Sequence, residues 1–296
     1  MKKIISLCLS ALFATAMLSA CNDGGGGGTN SDGSISLKFN FQKGSRYKYI
    51  MKNHQSITQD IMGKSMTVGQ DMDMESTYQV AGADGNNKKL TVTYDRIAMK
   101  SDNSAMKMAY DSDDSAHNDP MFKSLGNMVH KSFSMTVNDK GQIVALEGFE
   151  NLMPNAGGNM PISDSSLRSM MQQSFYIYPD KPVKPGDTWS NNYSTSLGFM
   201  DLNTDNTFKL VSVSNGIAHV EMNSKISSRP SSNADMKDVK MELSGVQTGA
   251  IDIEIATGLM MGSTLNQQIK GTMDMREMKA PIQVNSDISI VGAREK

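Results

Sequence analysis

From Ile35 onward, apolar and polar residues alternate with a period of two along most of the chain, the pattern of antiparallel strands with one buried and one wet face. Leu37, Phe39 and Phe41 share one side, and Ser36, Lys38 and Asn40 the other. Phe133, Met135 and Val137 alternate with Ser134, Thr136 and Asn138. Asn138-Asp139-Lys140-Gly141 then offers a turn before a strand over 143–146, so a hairpin is predicted there. Ile251, Ile253 and Ile255 alternate with Asp252 and Glu254, and Met273 and Met275 flank Asp274 in the same way. Two stretches read as helical instead: a weak one over 121–131, and 163–175, where Ser163 or Asp164 can cap an amphipathic turn.

The two halves of the chain repeat one another in degenerate form. Thr77-Tyr78-Gln79-Val80, a turn over 82–87 and Leu90-Thr91-Val92-Thr93 correspond to Thr207-Phe208-Lys209-Leu210, a turn over 214–216 and Ala218-His219-Val220-Glu221. Upstream, Lys43-Gly44-Ser45-Arg46-Tyr47 corresponds to Pro185-Gly186-Asp187-Thr188-Trp189, a glycine turn feeding an aromatic anchor at a strand start. Downstream, 135–146 and 251–261 each give a strand, a glycine-containing turn and a second strand. The predicted fold is all-β: two repeated antiparallel units forming a curved open half-barrel or packed sheets, with one or two short helices. The first unit spans 35–179 and the second 180–296. They join near 176–185, where Pro179, Pro182 and Pro185 cannot donate ladder hydrogen bonds.

The N-terminal residues follow a different logic. Met1-Lys2-Lys3, an apolar run from Ile4 and small residues at Ser19 and Ala20 make 1–20 a lipoprotein signal peptide, with an apolar part too short for a bilayer-crossing helix. Cleavage before Cys21 makes that residue the lipid-attachment site. Residues 22–34 hold only Gly, Asn, Asp, Ser and Thr, a flexible tether with a root-mean-square span of roughly 20 Å. Asn22, in place of an aspartate, favours the outer membrane over retention in the inner one. Asp23 alone is a poor match to the acidic stretch of surface-exported lipoproteins, which points to the periplasmic face.

Composition narrows the chemistry. Cys8 leaves with the signal, so the mature chain has no thiol beyond Cys21; internal disulfides, cysteine nucleophiles and zinc-thiolate sites are excluded. The formal net charge is -2 before Lys2 and Lys3 are removed, and no basic stripe is present to displace phosphate counterions, so no nucleic-acid partner is expected. No Gly-x-Ser-x-Gly elbow, His-Glu-x-x-His pair or phosphate-binding glycine loop occurs. Ser45-Arg46-Tyr47-Lys48 matches Ser-x-x-Lys by letter, but strand alternation puts its serine and lysine on opposite faces. Asp201, Asn203 and Asp205 begin like a calcium loop, yet Asn206 replaces the turn glycine and Ser212 the bidentate glutamate. No catalytic residue, metal or cofactor is expected.

Methionine is the compositional outlier: of 26 residues, only Met1 and Met17 lie in the signal. Met72 with Met74, Met106 with Met108 and Met273 with Met275 are Met-x-Met pairs, which on a strand point to one face. Flexible thioethers suit an irregular core, a soft apolar binding surface or a Cu(I) site. The four histidines, at 54, 117, 130 and 219, do not cluster with these pairs, which leaves copper the least supported.

The lipobox, Gly44 with Tyr47, Thr77-Tyr78-Gln79-Val80, Asn138-Asp139-Lys140-Gly141 and Pro182-Val183-Lys184-Pro185-Gly186-Asp187-Thr188-Trp189 together resemble domain-of-unknown-function family 6263, a group of bacterial lipoproteins. The resemblance covers most of the mature chain. It implies an exported, anchored, mostly β protein and supplies no catalytic residues. The expected function is a non-enzymatic periplasmic lipoprotein that binds lipid or another apolar ligand on a Met-lined concave face formed by Met72, Met74, Met106, Met108, Met273 and Met275. The alternative is a structural or assembly protein that binds a protein partner in the envelope.

Overall fold

The structure is a computed structural model. It describes residues 28–295 except 62, 104–106, 115–117, 120–124, 150, 151, 153–167, 170, 173, 197–199, 231–238, 276 and 277. The signal, Cys21 and Met106 lie outside the described residues. The strands are β1 (Gly28–Thr29), β2 (Ile35–Ser36), β3 (Arg46–Ile61), β4 (Lys64–Asp84), β5 (Asn87–Asn103), β6 (Lys107–Asp111), β7 (Ser132–Val137), β8 (Ile143–Glu147), β9 (Thr188–Ser196), β10 (Met200–Ser214), β11 (Ile217–Pro230), β12 (Val239–Glu254), β13 (Met260–Met275) and β14 (Met278–Arg294).

All but β1 and β2 form one antiparallel sheet in the order β8-β7-β5-β4-β3-β14-β13-β12-β11-β10-β9, with β6 on the edge of β5. Its two ends do not meet, so the sheet is open. The seam in the middle joins the two ends of the chain: β14 pairs with β3 from Ile282↔Gln59 to Arg294↔Tyr47. Arg46 Nε sits 2.8 Å from Glu295 Oε2, and Arg294 donates to Ser45 Oγ at 2.9 Å.

The internal repeat has a structural counterpart. Gly44 N–H donates to the Val80 carbonyl (2.9 Å) and Val80 N–H to the Ser45 carbonyl (2.9 Å); Gly186 N–H donates to the Leu210 carbonyl (2.7 Å) and Leu210 N–H to the Asp187 carbonyl (3.0 Å). Both glycines have positive φ, +80° and +97°, which their turns require. Each hairpin then shifts register, between Val80 and Gly82 and between Leu210 and Ser212. β5 pairs with β7 through Leu90↔Met135 as β11 pairs with β12 through Ala218↔Ile253.

The core collects at one end of the strands. Residues 37–41 run between the two equivalent turns: Phe39 N–H donates to the Asp139 carbonyl and Asn40 N–H to the Thr257 carbonyl, both at 2.8 Å. Their alternation buries Leu37, Phe39 and Phe41 against Tyr47, Leu90, Met135, Phe208, Leu210, Ile253 and Leu259. Phe41 stacks on Tyr47 with ring centroids 3.9 Å apart, and Trp189 stacks on Phe208 at 5.4 Å. Trp189 Nε1 donates to the Ile177 carbonyl at 3.0 Å, so the single tryptophan is a strand-start anchor.

Of the two helical expectations, 121–131 contributes a 3₁₀ turn at 125–127, and 163–175 contributes helical residues 168, 169, 171 and 172. Gln172, on the latter, accepts from Ile143 N–H (2.8 Å) and donates to the Gly141 carbonyl (3.0 Å), which clamps the β7–β8 turn.

Burial pushes the phenols of Tyr49, Tyr94 and Tyr178 well above their usual range and that of Tyr78 up to about 12. A phenol held protonated in the native state favours folding less as pH rises: stability is whole below about 10 and falls as pH climbs from there toward the raised values. In an alkaline titration, phenolate absorbance from these four should therefore appear together with the loss of the β-sheet circular dichroism signal. A complete phenolate signal from an intact sheet would contradict this.

Candidate functional site

Strand pairing sorts the long strands into two faces. On the outer one lie Lys52, His54, Asp71, Asp73, Lys100, Lys225, Lys270, Asn285 and Asp287; most of these side chains are exposed. The inner face carries successive cross-strand rows. Nearest the core runs Trp189, Phe208, Met222, Gly249, Leu265, Ile288, Asn53, Met72 and Met99, each directly opposite the next. The next row is wholly polar: Asn191, Asn206, Ser224, Gln247, Gln267, Ser286, Gln55, Gln70 and Ser101, again in unbroken register. Beyond it the surface is mainly apolar again, through Tyr193, Thr204, Ile226, Gly245, Ile269, Val284, Ile57 and Val68, which lies opposite Asn103. A further row mixes Leu202, Leu243, Gly271, Ile282 and Met66 with Thr195, Ser228 and Gln59.

Across these four rows no inner position holds Asp, Glu, Lys or Arg. Ile57, Val68, Ile269 and Val284 are half-buried, and none belongs to the core cluster or packs against it. The polar row thus divides the inner face into an apolar region at the core end and another beyond it, buried at Ile226 and Thr204 and half-buried at Ile57, Val68, Ile269 and Val284. β12 and β13 approach each other closely on this side: a Cβ on Gly245 would fall 2.3 Å from the Gln268 carbonyl oxygen, and one on Gly271 1.8 Å from that of Glu242. Only glycine admits that approach.

The predicted methionines do not form one patch. Met72 lies opposite Met99, Met74 opposite Met51, and Met108 opposite Ser101, so three of them gather with Met51 and Met99 on the inner face of β3–β6. Met74 also packs on the core. Met273 lies opposite Met241, eight residues along β13 from Leu265 and therefore roughly 26 Å from Met72's row. Met275 continues β13, its side chain outside the description. The aliphatic row through Ile269 and Val284 and the polar row beside it have no counterpart in the sequence analysis. Their only sequence signal is parity within single strands, as in Met51, Asn53, Gln55 and Ile57, where polar residues interrupt the apolar positions and hide the face.

Clefts open on the outer face. One of about 590 Å³ lies over β11–β14 between Lys225, Ser244, Val246, Gln268, Lys270, Gln283 and Asn285. Ile226, Gly245 and Ile269 of the apolar row also line it, and most of its exposed lining is apolar. Another of about 480 Å³ involves Lys52, His54, Asn266 and Asp287. His54 Nδ1 is 2.5 Å from Asp71 Oδ1, and that hydrogen bond raises the imidazole pKa.

At the β10–β11 hairpin, Ser214 Oγ is 2.8 Å from His219 Nε2 and His219 Nδ1 is 2.7 Å from Asp252 Oδ1. The order is that of a nucleophile, base and orienting acid. The His219 and Asp252 side chains are 37% and 49% exposed, and none of the four described clefts includes these three residues. Nothing there excludes water or seats a substrate, so the geometry is that of a surface network. Among the described residues no three His, Cys, Asp or Glu converge as metal ligands, and no helix is long and apolar enough to cross a membrane.

The profile of a family of unknown function, DUF6263, matches residues 85–260, more than half of the chain. The chain belongs to this family. Its matched region runs from the β4–β5 turn to the first residue of β13, so in this DUF6263 member β3, β14 and the seam between them lie outside it. No curated protein matches. Among solved structures, the chain is similar to OpdQ of Pseudomonas aeruginosa, at 6% identity over 85% of this chain and 99% of that one, with a TM-score of 0.23. It is also similar to an outer-membrane channel from Pseudomonas putida F1, at 8% identity over 86% and 97%, TM-score 0.21. A DUF1329 family protein from Desulfovibrio piger gives 7% identity over 80% and 83%, TM-score 0.14. Such scores carry no functional information.

Proposed function

We propose that this DUF6263 protein is a non-enzymatic lipoprotein, anchored through Cys21 to the periplasmic face of the outer membrane, whose inner sheet face binds lipid or another acyl-bearing ligand. The supporting observation is the uncharged inner face beyond the polar row, where Ile57, Val68, Ile269 and Val284 are half-buried and lie outside the core cluster. An acyl chain laid along these rows would gain roughly 25 cal/mol for each Å² of apolar surface removed from water. The methionines around Met72, Met74 and Met99 supply adaptable contacts at one side.

A second reading is supported by the edge of β9, which pairs only with β10 among the described strands and could add a partner's strand. Uptake of a fluorescent fatty-acid probe by the lipid-stripped protein separates the two. Saturable binding supports the carrier. No binding, with capture of an envelope protein at β9 by crosslinking, overturns it.

A further inference from the structure

The polar row carries more than the uncharged face alone. We propose that it holds the head of the ligand, and that this head is uncharged and rich in ester, amide or hydroxyl groups: an acylglycerol-like lipid, not a free fatty acid or a phospholipid. The inference rests on the acyl-binding reading above and specifies its ligand class.

Amides both donate and accept, so a line of glutamines can meet ester carbonyls and hydroxyls alike. At the β9 side the row is self-satisfied: Asn191 donates to the Tyr176 carbonyl (2.5 Å), Asn206 to Asn191 (2.8 Å) and Ser224 to Asn206 (2.6 Å). Toward the middle it breaks into separate pairs, Gln267 to Gln247 at 3.0 Å and Gln55 to Ser286 at 3.1 Å. Gln70 has no side-chain hydrogen bond among the described residues. The central amides therefore keep unused donors and acceptors where the apolar rows flank them on both sides.

Buried polar atoms without partners lie beside the same stretch. Asn53 Oδ1 lies one row toward the core from Gln55, and Ser263 Oγ two rows, opposite Ile251 and Ile290; both are inaccessible and unbonded among the described residues. Such atoms are rare in folded proteins and call for a partner. The uncharged rows exclude the alternative head chemistry. A carboxylate or phosphate drawn onto the row would lose its hydration with no cation facing it, since Lys52, Lys100, Lys225 and Lys270 all occupy outer positions. A purely structural role, pinning the register of nine strands, would alter stability without altering ligand choice.

The test is competition against a pyrene-labelled alkane on the full chain stripped of lipid, using a monoacylglycerol, a free fatty acid and a lysophosphatidylglycerol of equal chain length. The monoacylglycerol is expected to compete at least tenfold better than either charged lipid, about 1.4 kcal/mol. The double variant Gln247→Leu, Gln267→Leu is expected to lose that preference while still binding the alkane. Equal competition by all three, a preference for a charged head, or an unchanged preference in the double variant overturns the head assignment but not the acyl-binding face. No binding of the alkane or of any of the lipids overturns both. The wild-type comparison stands even where the variant fails to fold.

Discussion

Gly258→Ala is expected to destabilise the native fold by about 4 kcal/mol or more, while Gly216→Ala, at nearly the same backbone conformation, costs only about 1–2 kcal/mol. Both glycines have positive φ, +75° and +77°, so each alanine pays about 1–2 kcal/mol for a left-handed conformation. The surroundings decide the difference. A Cβ on Gly216 meets nothing within 4 Å, whereas one on Gly258 would lie 2.1 Å from the Lys38 carbonyl oxygen and 3.2 Å from the Tyr178 ring. That overlap is relieved only by moving the 37–41 segment, whose Asn40 N–H is bonded to Thr257, or the buried Tyr178, whose hydroxyl donates to the Gly258 carbonyl at 2.6 Å. Either movement opens the core between the two repeated turns. A loss of about 4 kcal/mol or more is a large share of a typical domain's stability. Urea midpoints followed by Trp189 fluorescence measure both variants; equal shifts would contradict the close contact.

Val284→Asp is expected to weaken the binding of an acyl probe at least thirtyfold, and the neighbouring Asn285→Asp to leave it unchanged. The two residues differ in face. Val284 lies on the inner row between Ile269 and Ile57, and Asn285 on the outer row between Gln268 and Ser56. A carboxylate at 284 is solvated in the empty protein, because the position is half-buried and outside the core, so folding should persist. Covering it with an acyl chain would strip that solvation at a cost of about 2 kcal/mol or more. Asn285 also lines the outer cleft over β11–β14. Loss of binding on changing Asn285 alone would move the ligand to that cleft.

Period-two alternation was enough to identify β7 and the end of β12, because Phe133, Met135 and Val137, and Ile251 and Ile253, are buried while the residues between them are not. The repeat was legible for a similar reason: Gly44 and Gly186 are forced by positive φ at equivalent turns, and Trp189 by the core that follows. The β3–β14 seam was not legible, since pairing between the two ends of a chain leaves no local mark. The polar row is hidden more deeply. Gln55, Gln70, Gln247 and Gln267 are unremarkable one by one, and become a line only when the registers of nine strands are known together. Methionine content pointed toward the inner face through Met72, Met74 and Met108, but composition carries no register, and Met273 falls far from them. Of the 121–131 and 163–175 stretches, the described residues hold a 3₁₀ turn at 125–127 and helical residues 168, 169, 171 and 172, where Gln172 clamps the β7–β8 turn.

The most direct test of the acyl-binding face is photocrosslinking with a diazirine-bearing fatty acid, followed by peptide mapping of the labelled residues. Labels should fall on inner positions of the central strands, such as Ile57, Val68, Ile269 and Val284, and skip their immediate neighbours Ser56, Thr67, Gln268 and Asn285. Labels confined to those outer neighbours, or scattered without regard to strand parity, would contradict the account.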